Sequence, residues 1–391
     1  MITNFHNTFI KVKDILVVLF LPIFFTLLFG YVYSNTYVER IPFAILDLDE
    51  SPSSRMIIDQ FSEHKGLDVI GTVSTQDELK DLILFNQIYG GLVIPDHFDE
   101  DVKAKQSPDL LVLMDSSNLV IGNNLHAYAT TIINTLGVGV QMSILQGGSI
   151  VPYNAEQYLT ALSFTSRMLY DPQMGYLLYV FAGILGILIQ QTYLSVLSSR
   201  LLESKNELSQ NQNSLSIGFP NKALLQAILR LLCLSTISFF VCLLCANKVY
   251  GYPLRGDTLS LFVLVVLFLI DVTAMGILIT SFFDDEAHCA QFCMFLSVPT
   301  FLTSGYIWPE FMMAPHFASI IKSIWPLYYF VNPLRGLCMK SASFADILPY
   351  LIGSGLFAMV WLTLSILLFR YRIRLMKKTK SYNLDICINE L

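Results

Sequence analysis

The chain has 391 residues, of which 54% are hydrophobic and only 14% are charged, with a formal net charge of -6. Soluble domains carry about 25% charged residues, so this composition excludes an ordinary soluble protein. It leaves transport, signalling, secretion and membrane-embedded catalysis as the possible classes of function.

Six apolar segments are each about 18 residues or longer, the length that an α-helix needs to cross the hydrocarbon core of a bilayer. They cover residues 15–33, 175–197, 223–246, 259–283, 289–306 and 347–369. No small-residue cleavage site follows the first segment, so we expect it to be a retained anchor. The fold class predicted is therefore an α-helical integral membrane protein with six transmembrane helices and a domain inserted after the first.

The inserted region alternates strand-like and helix-like segments, an order that favours a small mixed α/β domain. Its predicted strands are 41–48, 68–73, 89–94 and 109–114, and its predicted helices are 51–63, 75–85 and 118–145. Four acidic residues at strand ends fit either turn and capping chemistry or a cation site: Asp47, Asp49, Glu50 and Asp115. Residues 152–171 are amphipathic and predict an elbow helix on the membrane surface before the second span.

Positive charges cluster near the ends of alternate spans, which indicates the orientation of the chain. The clusters are Lys11 and Lys13; Arg200, Lys205 and Lys222; and Arg370, Arg372, Arg374, Lys377, Lys378 and Lys380. With six spans all three clusters fall on one side. Both termini are therefore predicted to be cytoplasmic and the inserted domain extracytoplasmic.

Polar residues inside predicted spans are costly and seldom face lipid. Three candidates of this kind are Asp271 in the fourth span and Gln190 and Gln191 in the second. Two interpretations stay open, a group that lines a pathway or an interface and a hydrogen-bonded helix-packing residue.

The segment that follows the second span carries alternating charges in Arg200, Glu203, Lys205 and Glu207. It can form a helix across the inner membrane face and dock a soluble partner. An ordinary solvated connection is the alternative interpretation.

Proline, glycine and aromatic residues are concentrated after the fifth span. Because proline and glycine break helices and tryptophan and tyrosine favour the membrane interface, the sequence predicts a re-entrant or interfacial hairpin at the outer face. Its residues are Ser304, Gly305, Tyr306, Trp308, Pro309, Pro326, Leu327, Tyr328, Tyr329, Arg335 and Lys340.

These motifs and the layout of one helix, a large domain and five helices resemble the membrane subunit of type-2 ABC exporters, the ABC-2 permease family. The resemblance covers the whole chain and includes Tyr170, Asp171 and Pro172 before the second span, where the family often has Asn in place of Asp171. The family commonly has an acidic residue followed by Gly-Thr after the second helix, whereas here Glu203 is followed by Ser204 and Lys205.

The resemblance implies a permease that pairs with a second copy or a related permease and docks a cytoplasmic ABC ATPase. It implies ATP and Mg²⁺ on that partner, since no G-x-x-x-x-G-K-[ST] motif occurs in this chain. The chain itself is expected to bind no cofactor, to have no catalytic or metal site and to bind no nucleic acid. Membrane lipid, a periplasmic adaptor protein and an outer-membrane channel complete the expected partners in a bacterial inner membrane.

The predicted division of the chain follows from these segments. It comprises the N-terminus and first helix (1–34), the α/β domain (35–174), a five-helix domain (175–370) with coupling loop 198–222 and outer hairpin 305–346, and a basic tail (371–391). The predicted function is outward movement of an amphipathic or hydrophobic substrate. A sensing or docking protein that uses the inserted domain, a secondary transporter and, last, a membrane enzyme are the alternatives.

Overall fold

The computed structural model describes residues 12–33, 39–104, 108–147, 170, 175–210 and 222–389. The chain divides into two compact units, Asn35–Tyr176 and the combination of Met1–Ser34 with Leu177–Leu391. Most of the predicted elbow helix at 152–171 and residues 211–221 of the predicted coupling loop lie outside the described residues.

The unit Asn35–Tyr176 contains a four-stranded sheet with the order β2-β1-β3-β4. The strands are β1 (Ile41–Asp47), β2 (Leu67–Val73), β3 (Gly90–Ile94) and β4 (Leu111–Met114). Strand β1 runs parallel to β2 and β3, and β4 runs antiparallel to β3. The two central strands are almost wholly buried, as their apolar sequences require.

Helices cover both faces of this sheet. They are α2 (Pro52–Glu63), α3 (Gln76–Leu84), α4 (Phe98–Lys103) and α5 (Leu119–Gly147), while α1 is the first membrane helix, Val12–Val32. The backbone N–H of Ser54 donates to Ser51 Oγ at 3.0 Å, and that of Glu78 donates to Thr75 Oγ1 at 3.2 Å. Each hydroxyl thus accepts a hydrogen bond from a backbone N–H in the first turn, which has no acceptor within its own helix.

The acidic residues at the strand ends take part in turns. Asp47 Oδ1 accepts from the backbone N–H of Asp49 and of Glu50, both at 3.1 Å, and Asp115 Oδ1 accepts from Ser117 N at 2.8 Å. No group of three His, Cys, Asp or Glu residues that could hold a metal occurs among the described residues. The sequence did not predict α4, whose six residues include three acids in the first turn.

The other unit is a helical bundle. Besides α1 it contains α6 (Tyr176–Gln210), α7 (Lys222–Tyr250), α8 (Thr258–Phe282), α9 (Glu286–Thr303), α10 (Pro315–Ile324), α11 (Leu327–Lys340) and α12 (Phe344–Asn389). Helix α6 has 35 residues and is therefore about 52 Å long. It continues past residue 198, so the first part of the predicted loop 198–222 is helix.

Among the described residues, five helices are long and apolar enough to cross a membrane. They are Val12–Val32, Tyr176–Ser209, Lys222–Tyr250, Thr258–Phe282 and Phe344–Lys378. The sixth predicted segment, 289–306, corresponds to α9, which has 18 residues and falls outside this set because Glu286, His288 and Gln291 make its first two turns polar. The count of six spans stays a prediction.

The segment predicted as an outer hairpin consists of a loop, a 3₁₀ turn at Glu310–Met312, and helices α10 and α11. Pro333 and Gly336 lie inside α11 rather than breaking it. The general rule that proline and glycine break helices therefore does not hold at these two positions, and Pro333 is buried.

Candidate functional site: two polar clusters in the helical bundle

The Lys205 cluster lies where α6, α8 and the turn before α9 meet. Lys205 is completely buried, and its Nζ donates to Phe283 O at 2.6 Å, to Asp284 Oδ1 at 2.7 Å and to Thr280 O at 3.4 Å. A lysine ammonium has three N–H donors, so each of them has an acceptor. The cation also lies at the C-terminal end of α8, where the helix dipole favours positive charge.

Three further hydrogen bonds involve the same end of α6. Arg200 Nε donates to Asp14 Oδ2 of α1 at 3.1 Å, and Arg200 also pairs with Glu203 at 3.0 Å. Ser199 Oγ donates to Glu286 Oε1, the first residue of α9, at 2.6 Å. Arg200 and Lys205 are thus engaged inside the bundle, which the prediction of a solvated docking segment did not anticipate.

The two acidic residues of the predicted coupling segment are more accessible. Glu207 is exposed and Glu203 is partly exposed. Both line a pocket between the end of α6 and the start of α7, together with Arg200, Ser204, Ala223, Leu224 and Ala227. The wall formed by α6 carries Arg200 and the two acidic residues, and the wall formed by α7 is apolar.

Inside the bundle, Asp271 and Gln191 lie at different helix contacts. Asp271 is fully buried, and Ser354 Oγ of α12 donates to its Oδ2 at 2.5 Å. The other oxygen, Oδ1, has no hydrogen-bond partner among the described residues, and neither has Gln190 Oε1. Gln191 Oε1 instead accepts from Ser297 Oγ of α9. The structure therefore places Asp271 and Gln191 at helix–helix contacts, and Gln190 is buried.

The Arg335 cluster lies at the opposite end of α6. The guanidinium of Arg335 stands 3.6 Å from the ring centroid of Tyr306 and 5.4 Å from that of Tyr179. Its Nη2 donates to Tyr306 O at 2.9 Å, and Tyr306 Oη donates to Tyr179 O at 2.6 Å. Two residues of the predicted motif, Tyr306 and Arg335, thus meet through a cation–π contact and a hydrogen bond.

The backbone around Tyr306 needs small residues. Gly305 has φ +80°, which an L side chain rarely adopts. The carbonyl of its neighbour Ser304 accepts from Asn332 Nδ2 of α11 at 3.0 Å. A Cβ on Gly183 of α6 would lie 2.7 Å from the Tyr306 ring. These two glycines allow the loop after α9 to pack directly on α6.

A second arrangement of the same segment centres on Glu310. It forms an ion pair with Lys322 of α10, and Tyr328 Oη donates to its Oε2 at 2.6 Å. The Lys322 ammonium, followed by the Tyr328 hydroxyl, lowers the pKa of Glu310 below its ordinary value. The other motif residues lie along the same segment. Trp308 is about half exposed, and Pro309 precedes the 3₁₀ turn. Pro326 precedes α11, and Lys340 is the last residue of α11.

Sequence reasoning missed several residues of these clusters. Asp14, Asn332 and Ser354 were not anticipated, and Asp14 and Arg200 are 186 positions apart. A polar residue next to an apolar segment was the available signal for Asp14. No local pattern pointed to Asn332 or Ser354.

The bundle defines a multi-spanning integral membrane protein with polar clusters at both ends of α6. A family model described as ABC-2 family transporter protein matches residues 13–367. The chain therefore belongs to the ABC-2 transporter family, and it is an ABC transporter membrane subunit. Membership implies association with an ATPase subunit.

Curated relatives agree with this assignment. The inner membrane transport permease YhhJ of Escherichia coli K12 is 23% identical over 351 residues, which cover 88% of this chain and 90% of that protein. The same figures hold for YhhJ of Shigella flexneri. The probable multidrug ABC transporter permease YbhS of E. coli K12 is 30% identical over 105 residues, or 27% of this chain and 28% of that protein.

Proposed function

We propose that this chain is the permease subunit of an ABC exporter that moves an amphipathic or hydrophobic substrate out across the bacterial inner membrane. The observation that carries the proposal is the family match over residues 13–367. The naming of YhhJ as an inner membrane transport permease and of YbhS as a probable multidrug permease supports the membrane and the substrate class.

In this proposal α9 is a sixth span. The chain is then a member of the ABC-2 subgroup that carries a large extracytoplasmic domain after its first helix. Its 18 residues reach about 27 Å, close to the roughly 30 Å of a hydrocarbon core. Both termini are then cytoplasmic, and the unit Asn35–Tyr176 lies outside the cytoplasm. The charge pattern supports this orientation, since the basic residues 370–380 lie at the C-terminal end of the last membrane helix.

Movement is driven from a separate subunit that binds ATP and Mg²⁺. The acidic pocket between α6 and α7 is the docking surface for that ATPase, with Glu203 and Glu207 exposed to it. A second permease copy or a related permease completes the membrane pore, and a periplasmic adaptor and an outer-membrane channel extend the path. The permease pair alternates between two states. Nucleotide binding shifts the pair toward one of them because nucleotide binds more tightly in that state.

The test begins with the full chain tagged at its C-terminus and purified in mild detergent. We expect mass spectrometry to find an ATPase that contains the G-x-x-x-x-G-K-[ST] motif. We also expect the complex to hydrolyse ATP. Glu207→Lys should reduce recovery of the ATPase, whereas Glu63→Lys, a matched reversal in the other unit, should not. Recovery of the folded chain without any ATPase would refute the proposal.

The direction of transport has its own test. Inverted membrane vesicles should accumulate ethidium, an amphipathic cation, when ATP is supplied outside them. Loss of ethidium from preloaded inverted vesicles under the same conditions would indicate import and would contradict the exporter assignment.

A further inference from the structure

The buried position of Lys205 sets it apart from a docking residue. Its side chain has no exposed surface, and all three ammonium donors are taken by Thr280 O, Phe283 O and Asp284. A partner subunit cannot reach it without first separating α6 from the end of α8. Such a separation would break all three hydrogen bonds of the ammonium.

Three hydrogen bonds join α6 to α9 and to the loop that follows α9. Ser199 donates to Glu286, Gln191 accepts from Ser297, and Tyr179 O accepts from Tyr306 Oη in the loop. The residue numbers fall along α6 as they rise along α9 and its loop, so the two segments run antiparallel. These bonds give a route by which a displacement of α6 can reach α9.

The Lys205 cluster joins this pair to α8. It holds the turn 283–285, and that turn also begins α9, because Asp285 Oδ1 accepts from the backbone N–H of His288 at 3.0 Å. At the far end of α9, the chain enters Gly305 and Tyr306, beside Arg335. One continuous set of contacts thus leads from the end of α6 to the Arg335 cluster.

We propose that Lys205 is a positioning residue that makes the end of α6 and the turn 283–285 move as one body, so that a push on α6 reaches the Arg335 cluster through α9. This proposal rests on the proposed function, since it takes the ATPase as the source of the push. It differs in giving Lys205 a role inside the permease and leaving contact with the ATPase to Glu203 and Glu207.

The first experiment uses the full chain alone, without nucleotide, and measures amide hydrogen exchange by mass spectrometry. Lys205→Met keeps the aliphatic stem but removes the donors, so peptides covering 283–289 should exchange at least tenfold faster. Lys248→Met removes an exposed lysine at the far end of α7 and should leave these peptides unchanged. Equal exchange in Lys205→Met and wild type would overturn the proposal, whether or not an ATPase partner exists.

The second experiment uses the complex with its ATPase, trapped with ATP and vanadate. In wild type, trapping should change exchange in both 200–210 and 283–289. In Lys205→Met the change in 200–210 should remain, while that in 283–289 should fall at least fivefold, and Lys205→Arg should restore it. If Lys205 only stabilised the fold, Lys205→Met would change the exchange of 283–289 without nucleotide. The response of 283–289 to nucleotide trapping would then remain intact.

Two results of this second experiment would overturn the proposal. In the first, trapping changes 200–210 in the wild-type complex but leaves 283–289 unchanged, a result that needs no variant to fold. In the second, Lys205→Met loses the ATPase while Lys248→Met retains it, which would make Lys205 a docking residue. Absence of the ATPase from wild type itself would refute the proposed function instead, and the exchange of the chain alone would still decide the role of Lys205.

Discussion

Replacing Arg335 by methionine should destabilise the bundle at the Arg335 cluster. The change keeps an unbranched apolar stem and removes the guanidinium, which stands 3.6 Å from the Tyr306 ring and donates to Tyr306 O at 2.9 Å. Tyr306 is 1% exposed, so its carbonyl would lose this donor in a site that water does not readily reach.

The magnitude follows from these two contacts. A hydrogen bond from a charged donor contributes about 1.5–3 kcal/mol, and a cation–π contact contributes about 0.5–2 kcal/mol. Their sum gives an expected loss of about 2–5 kcal/mol in the free energy of unfolding for Arg335→Met. Arg335→Lys keeps the charge but loses the planar fork, so we expect roughly half of that loss.

Denaturant unfolding in mixed micelles, followed by tryptophan fluorescence, measures this free energy. Lys248→Met is the matched control, because Lys248 is an exposed cation at the end of α7 and its removal should cost less than about 0.5 kcal/mol. If Arg335→Met unfolded within about 0.5 kcal/mol of wild type, the contacts with Tyr306 would contribute nothing and the reasoning would be refuted.

Two other predictions concern Asp271 and Glu310. Ser354→Ala removes the hydrogen bond to buried Asp271 and should cost about 1–3 kcal/mol in the same unfolding assay. Ser365→Ala, whose buried hydroxyl donates to Leu362 O within α12, should cost less. Equal costs would contradict a special role for the Ser354–Asp271 pair. The pKa of Glu310 is lowered, so the stability it contributes is present above its ordinary carboxyl pKa and is lost as pH falls through the lowered value. Lys322→Met removes the main cause of the lowered Glu310 pKa and should move this acid transition to higher pH. Fluorescence of the three tryptophans at 308, 325 and 361 reports the transition. An unchanged midpoint would show that the ion pair does not stabilise the segment.

The sequence by itself determined the features that depend on chain neighbours. A helix must satisfy its own backbone in a bilayer, so long apolar segments predicted the membrane helices α1, α6, α7, α8 and α12. The hydroxyls of Ser51 and Thr75 cap helices through bonds three residues away, and such short-range chemistry is visible in the sequence. The strands of the α/β unit followed from their apolar runs for the same reason.

Only the tertiary structure decided the roles of the charged and polar residues. Lysine is seldom fully buried, so no sequence pattern predicted that Lys205 would lie inside the bundle with Asp284 and two carbonyls as partners. Asp14 and Arg200, or Asp271 and Ser354, are far apart in the chain, and their pairing depends on which helices pack together. Burial and pairing arise from that packing, because a residue's neighbours across a helix contact are not its neighbours along the chain.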